Sequence, residues 1–427
     1  MQQMDQLLKG LDSGLYDDRL KEIYVDETLL PYQKERYGKA VKEYREVFGE
    51  GEIELYSAPG RSEVGGNHTD HQNGMVLATS VNLDAIAVVG WNEENCIRLI
   101  SEGYDMVTIQ LSDLSQKAQE EGTSAALIRG MAAGLSEHGY PVSRGFNAYV
   151  MSDVLIGAGL SSSAAFEVII GTIVSGLFYG MKIDPVEIAG LAQYAENNYF
   201  GKPCGLMDQM ACSVGGLIHI DFKEPKAPIV NKIDVDFDAY HYSLCIVDTK
   251  GSHSDLTDDY AQIPFEMKAV AACFGKKVLR EVDKEEFMRR IPEVQRACGD
   301  RAVVRALHFY GENERARAEA EALASGKFEK FLRLVEKSGN SSCEFLQNVY
   351  SPGRVQEQGI SVGLAVSKSI LGSHGVCRVH GGGFAGTIHA FVQNDFVETY
   401  RCVLDSVFGE GSCHVLKVRP YGGIKVF

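Results

Sequence analysis

Four short segments concentrate the side chains that could do chemistry. The first, Arg61-Ser62-Glu63-Val64-Gly65-Gly66-Asn67-His68-Thr69-Asp70-His71, crowds ionisable and amide groups around a glycine pair, more of them than a turn needs. Asn, His and Asp together can fix several sugar hydroxyls with directional hydrogen bonds. A metal is the weaker reading, because no partner histidines lie nearby in sequence. The second, Ile156-Gly157-Ala158-Gly159-Leu160-Ser161-Ser162-Ser163-Ala164-Ala165, joins a strand to a long apolar helix. Its glycines allow close backbone approach to a ligand. Free amides at a helix N-terminus favour an anion, and the serine hydroxyls can reach phosphate oxygens or Mg²⁺. No G-K-[ST] follows a glycine run, so this is not a P-loop, and Ser162 stands where the third glycine of G-x-G-x-x-G would be. An ordinary helix start with capping serines is the alternative. The third segment, Lys202 to Gln209, is a largely apolar loop with one carboxylate, Asp208, either a cap or an acid/base. The fourth, Gly381-Gly382-Gly383-Phe384-Ala385-Gly386, suggests a loop packed closely against another backbone or a phosphate, or a plain glycine turn.

The elements that must position these segments alternate between strand and helix. IELYSAPGR reads as a strand running into a glycine-rich loop, followed by strands in VLATSVNLDAIAVVGW, IRLISEG and MVTIQLSDL. AALIRGMAAGLSEHGY is helical, GFNAYVMSDVL a strand, and the stretch after Ser163 a buried helix that falls short of a membrane span. Asp184-Pro185 is a helix start, a cap residue followed by proline. Strands follow in GGLIHIDF and YHYSLCIVDTKG, then charged helices, then strands in GVCRVHGGGFAGTIHAFV and CHVLKVRP. The mixture predicts an α+β fold. Residues 1 to about 50 read as polar and helical with little core. There is no internal repeat, and Asp221–Pro228 is the expected domain boundary.

A chain of 427 residues should hold two or three domains. A net charge of −16 without a dense basic run argues against a nucleic-acid binder. The N-terminus shows neither the basic nor the apolar region of a secretory signal. Ten cysteines without C-x-x-C pairs read as reduced, mostly buried thiols. The expectation is a soluble cytoplasmic protein with no nucleic-acid or membrane partner.

In order and spacing, from about Ala58 to Gly423, these segments resemble the motifs of the GHMP kinase superfamily, specifically its galactokinase branch. APGRSEVGGNHTDHQNGMVL resembles the galactokinase signature, GAGLSSSAAFEV the nucleotide loop, AENNYFGKPCGLMDQ the catalytic segment and VHGGGFAGTI the third motif; GENERAR also looks like a galactokinase helix. The resemblance implies a two-lobed α+β fold with the active site in the cleft. It implies an N-terminal domain over 1–222, including a helical extension over 1–50, and a C-terminal domain over 223–427. The implied activity is ATP-dependent phosphorylation of a hexose, D-galactose, at its C1 hydroxyl, with Mg²⁺. Asp208 would be the catalytic carboxylate and Arg61 would sit beside it, lowering its pKa. Asn67, His68, Asp70, Gly205 and Tyr260 would hold the sugar. Gly157, Gly159, Leu160, Ser161, Ser162 and Ser163 would line the ATP phosphates, and Ser163 with Glu196 would hold Mg²⁺. The partners implied are a small sugar and ATP, with a monomer as the simplest assembly.

The sequence departs from the family pattern in places. The acidic residue before the signature histidine, which contacts the C6 hydroxyl, is Asn67, and the asparagine two after the arginine is Glu63. His71-Gln72 replaces Tyr-Asn, Leu155 replaces a proline, and Ile263-Pro264 replaces an arginine pair. Plant galacturonate kinases resemble the chain at Asn67, so galacturonate is the alternative substrate. A non-catalytic sugar sensor is disfavoured by the presence of Ser163-Ala164 and Asp208.

Overall fold

The computed structural model describes residues 1–155, 159–251 and 256–427, with Thr257 by its backbone alone. Gly157, expected on the phosphate loop, lies outside the described residues. Strands β1 (Gln2–Gln3), β2 (Glu52–Gly65), β3 (Met75–Trp91), β4 (Cys96–Ser101), β5 (Val107–Gln110), β6 (Phe146–Ser152), β7 (Leu217–Asp221) and β8 (Ile229–Ile233) belong to one sheet. Strands β9 (Tyr242–Asp248), β10 (Gly375–Val379), β11 (Thr387–Gln393) and β12 (Cys413–Leu416) form a second, in the order β10-β11-β9-β12. The chain then returns to the first sheet, where β13 (Ile424–Lys425) pairs with β2. The fold is α+β, as the alternation of patterns predicts. The expected boundary at Asp221–Pro228 is the loop of the β7–β8 hairpin, and the chain leaves the first sheet only after Ile233.

Both faces of the first sheet are covered, which explains why DAIAVVGW reads as a continuous apolar run. Successive residues point to opposite faces. Ala85, Ala87 and Val89 pack on one side with Phe146, Ala148 and Val150. Ile86 and Val88 pack on the other with Tyr149 and Met151. The first face is covered by α4 (Ser124–Glu137), α5 (Ser162–Tyr179), α6 (Pro185–Tyr194) and α7 (Met207–Val214). By length and composition α5 could cross a membrane, but 61% of it is buried within the fold. Asp184 caps α6 through a 2.7 Å hydrogen bond from the Val186 amide.

The opposite face is covered by the first fifty residues, which corrects the expectation of little core there. Met4, Leu7, Leu11, Leu20, Ile23, Tyr37 and Val41 are buried on one side of α1 (Met4–Ser13), α2 (Asp17–Tyr24) and α3 (Leu30–Phe48). Their charge lies on the solvent side, so the composition hid the amphipathic spacing. One charged pair crosses into the core: Arg36 donates to Oδ1 of Asp84 on β3 at 2.6 Å. Arg419 and Tyr24 each donate to the other carboxylate oxygen at 2.8 Å. Helices α8 (Thr257–Ala272), α9 (Lys284–Arg289), α10 (Ile291–Cys298), α11 (Asp300–Ala324) and α12 (Phe328–Ser341) follow β9, and α13 (Gly359–Leu371) and α14 (Val397–Phe408) pack on the outer face of the second sheet.

Candidate active site

The strand expected to end at Arg61 continues: Ser62–Gly65, which read as the start of a glycine-rich loop, is the end of strand β2. The strand holds Arg61 rigidly against the N-terminus of α7. Arg61 donates from Nε to Oδ1 of Asp208 at 2.8 Å and from Nη2 to Oδ2 at 2.7 Å. Such a two-point contact fixes a carboxylate in orientation as well as position. The remaining nitrogen, Nη1, donates to the Gly159 carbonyl, and the Ser161 hydroxyl donates to Asp208 Oδ2. Burial pushes the Asp208 carboxyl up, but the Arg61 guanidinium and the hydrogen bonds from Arg61 and Ser161 outweigh it and hold the group below its ordinary value. The Asp208 side chain keeps 35% of its surface exposed.

That surface faces a cavity of about 580 Å³, where Arg61, His68, Asp70, Gly205, Asp208 and Tyr260 come together. Asp70 sits in a short turn over Asp70–Gln72 between β2 and β3. Burial pushes its carboxyl up to about 6, against the hydrogen bond from the His71 amide. Gly205 makes room for it: a Cβ there would stand 1.9 Å from Asp70 Oδ2. Tyr260 donates to the Gly383 carbonyl at 2.7 Å and lines the same wall.

His68 has a left-handed backbone, φ 58°, and its nitrogens are engaged by protein. Nε2 lies 3.0 Å from the Gly382 carbonyl, which can only accept, so this nitrogen carries the proton. Nδ1 therefore accepts from Nε2 of His71 at 3.3 Å. Gln72 in turn donates to Nδ1 of His71 at 3.2 Å. The relay runs Gln72 to His71 to His68 to Gly382 with both imidazoles neutral, and burial drives His68 down to about 4. The glycine run at 381–383 thus packs against another part of the chain and offers it carbonyls.

Asn67 is placed differently from the other candidates. It is wholly buried and its side chain is turned into the protein. Its Nδ2 donates to Glu63 Oε1 at 3.0 Å and to the Gly381 carbonyl at 2.7 Å. Its Oδ1 accepts from Asn348 at 2.9 Å and Ser342 at 3.2 Å. Glu63, not Asn67, lines the cavity.

The nucleotide-loop candidates adjoin the cavity through Asp208 and Arg61 rather than by lining it. Leu160 buries its side chain in the core and its carbonyl accepts from the Arg61 amide at 3.1 Å. Ser162 and Ser163 begin α5 and are partly exposed. Glu196 is buried in a widened helical turn over Ala195–Phe200, with Oε1 3.0 Å from Lys202 Nζ and Oε2 accepting from Gln209 at 2.7 Å. Among the described residues no three His, Cys, Asp or Glu side chains are grouped to hold a metal.

Two segments match known families. Residues 42–90 match the galactokinase galactose-binding signature and residues 126–216 the GHMP kinases N terminal domain. Together they carry both partners of the Arg61–Asp208 pair. A galactokinase of Limosilactobacillus fermentum is 27% identical over 375 residues, covering 86% of this chain and 92% of that one. A galactokinase of Actinobacillus pleuropneumoniae is 28% identical over 366 residues, covering 86% and 92%. The Lactococcus lactis galactokinase solved with galactose shares the fold with a TM-score of 0.77 at 24% identity, over 90% of this chain and 98% of that one. The Methanococcus jannaschii mevalonate kinase shares it at 0.60 and 16% identity, over 86% and 99%. The chain matches the galactokinase branch of the GHMP kinases in sequence and in fold. It is a sugar kinase, a phosphotransferase.

Several residues that shape the site of this kinase escaped the sequence reading. Glu312, in the GENERAR segment on α11, accepts from the amides of Gly66 and Asn67 at 3.1 and 3.3 Å. Asn313 accepts from the Met75 amide at 2.8 Å, so the same helix holds both ends of the sugar-motif turn. Glu167 on α5 is wholly buried beside Gln209, with Oε2 3.2 Å from its amide nitrogen. Burial and the nearby Glu196 push its carboxyl up to about 9. A lone carboxylate in an otherwise apolar helix was the available signal for Glu167; for Glu312 it was the GENERAR segment, whose resemblance to a galactokinase helix marks the helix but not which of its charged residues faces the site.

Proposed function

We propose that this kinase transfers the γ-phosphoryl group of ATP to the C1 hydroxyl of D-galactose, giving galactose 1-phosphate and ADP. The observation that carries the reading is the two-point Arg61–Asp208 pair at one end of a cavity also lined by the carboxylates of Asp70 and Glu63. A wall of acceptors suits a neutral, many-hydroxyl ligand. The galactose in the Lactococcus lactis relative and the names of the curated relatives support that sugar.

In the reaction, the C1 oxygen forms a bond to the γ-phosphorus while the bond from that phosphorus to the β–γ bridging oxygen breaks. The hydroxyl proton passes toward Asp208. Because Arg61 and Ser161 hold the Asp208 carboxyl low, its main contribution is to orient the hydroxyl, and proton acceptance is complete only as phosphoryl transfer advances. Arg61 stays beside the reacting oxygens as a fixed positive charge. Ser162 and Ser163, at the N-terminus of α5, offer hydroxyls and amides to the phosphates, and Ser161, whose hydroxyl is donated to Asp208, offers its amide. Glu196 and Ser163 supply only oxygen donors, which fits Mg²⁺, an ion that takes one or two carboxylates and completes its shell with phosphate and water. Bound there, it would neutralise phosphate charge, with the Lys202 ammonium released from Glu196. We read the two sheets as the two lobes, and a cytoplasmic location belongs to the same reading.

A substrate panel tests the assignment: ADP release with galactose, galacturonate, N-acetylgalactosamine and arabinose at equal concentration. Galactose should be turned over fastest. No turnover of galactose beside rapid turnover of another sugar would move the substrate.

A further inference from the structure

Arg61 and Glu63 are two residues apart on β2 in unbroken register, paired with Ser80 and Ala78 of β3. Their side chains therefore emerge on the same face of the sheet, and both reach the cavity. Arg61 is committed to Asp208, whereas Glu63 has no role in the transfer step. Its Oε1 is anchored from behind by the Arg378 guanidinium and by Asn67 Nδ2 at 3.0 Å. Arg378 is itself fixed by 2.9 Å bonds to the Ser338 hydroxyl and the Val379 carbonyl, and is wholly buried. Glu63 Oε2 has only the longer 3.3 Å contact from the same Asn67 nitrogen. The carboxylate is thus held rigidly, with one oxygen spent on the protein and the other available to the cavity.

Asn67 cannot serve in its place. Its amide nitrogen is divided between Glu63 and Gly381, its amide oxygen between Asn348 and Ser342. Its amide and carbonyl groups are also taken, by Glu312 and by His308. A residue with every polar atom engaged inside the fold reads no ligand; it holds Glu63.

We propose that Glu63 is a specificity-determining residue of this kinase. Its second carboxylate oxygen accepts a hydrogen bond from a sugar hydroxyl, and in its ionised form it excludes, together with Asp70, the corresponding uronic acid. Asn67 is a positioning residue that acts through Glu63. The proposal deepens the sugar-kinase reading and rests on it. A preorganised, desolvated carboxylate rewards a hydroxyl donor, and a like charge brought against it is strongly disfavoured.

The test compares wild type, Glu63→Gln and Glu63→Asp with galactose and galacturonate, reading kcat and KM separately for sugar and for ATP. Wild type should favour galactose by at least ~100-fold in kcat/KM, the scale at which a site built for hydroxyl donors rejects a mismatched analogue. Glu63→Gln keeps the shape and removes the charge. It should raise the KM for galactose at least ~10-fold, leave the KM for ATP unchanged, and shrink the preference for galactose over galacturonate at least ~10-fold. Because Glu63→Gln leaves Arg378 with only the longer 3.8 Å contact to Glu312, Glu63→Asp provides a variant that retains a carboxylate opposite Arg378. It should raise the KM for galactose at least ~5-fold while still rejecting galacturonate. An unchanged KM and an unchanged neutral-to-acid ratio in the folded variants would overturn the proposal, as would wild type using the two sugars alike. If wild type turns over a different neutral sugar, the galactose reading fails on its own, and the Glu63 comparison is made with that sugar and its uronic acid.

Discussion

Arg61 and Asp208 are 147 residues apart in sequence and meet through two hydrogen bonds of 2.8 and 2.7 Å. The pair joins the strand end that carries the sugar motif to the helix start that carries the catalytic segment. Lysine offers a point charge and cannot make this planar two-point contact. It would also abandon the Gly159 carbonyl, which the third Arg61 nitrogen holds. Arg61→Lys should therefore lower kcat about 100-fold, the scale for loss of one preorganised charge-stabilising donor. Initial rates at saturating sugar and ATP read this directly, and a rate within about threefold of wild type would contradict the role.

Asp70 links pH to both activity and stability. Its carboxyl titrates at about 6 instead of the ordinary 3.8, because burial disfavours the charge. The folded state therefore holds the proton more tightly than the unfolded chain. The stabilisation from the neutral form is fully present below 3.8 and is lost as pH rises through 6. Below about pH 6 the carboxyl we propose as a sugar ligand becomes protonated and exchanges one acceptor oxygen for a donor, so kcat/KM for sugar should fall on the acid side. Asp70→Asn should raise Tm at pH 8 by about 2 °C and give no gain at pH 4, while weakening sugar binding. Thermal melts at the two pH values, paired with sugar kinetics, check both signs.

Much of this was legible from residue types. The continuous apolar run of β3, the strand pattern of β6, the Asp184 cap of α6 and the apolar helix after Ser163 follow from local pattern. Four motifs in order were enough to anticipate that Arg61 would lie beside Asp208. Charge composition misled in the first fifty residues, because Leu7, Leu11, Ile23 and Val41 are spaced along helix faces that only the sheet completes. Composition also misled at Ser62–Gly65, where polar residues and glycine suggested a loop and the structure continues a strand buried on both faces. Whether Glu63 or Asn67 meets the cavity depended on Arg378 and Asn348, which lie hundreds of residues away and give no local sign.

Gly205 is tied to Asp70 by space. Adding a methyl group there would place it 1.9 Å from Asp70 Oδ2, far inside van der Waals contact. Gly205→Ala should push the carboxylate aside and raise the KM for sugar at least ~10-fold, with the KM for ATP unchanged. Separate titration of the two substrates distinguishes this from a general loss of folding, which would reduce the amount of active enzyme without changing either KM.

The Arg36–Asp84 contact, at 2.6 Å and with both side chains buried, ties the N-terminal helices to the sheet without touching the cavity. Arg36→Met leaves Asp84 with Arg419 as its one remaining cation among the described residues. Loss of one partner from a buried pair costs about 3–5 kcal/mol. Denaturant unfolding should register a loss of that size, while kcat of the folded enzyme at low temperature stays at the wild-type value.

The phosphoryl transfer we propose, to the anomeric hydroxyl of galactose at the Asp208 carboxylate, can be followed in a mixture of ATP, Mg²⁺, galactose and purified enzyme by ³¹P NMR. Wild type should convert the γ-phosphate signal into a sugar phosphate coupled to the anomeric proton. Asp208→Asn, which keeps shape but removes basicity and charge, should slow that conversion by at least ~100-fold. A phosphate coupled to a proton other than H1 would rule out transfer to the anomeric hydroxyl, and an Asp208→Asn enzyme working at the wild-type rate would rule out the role of Asp208.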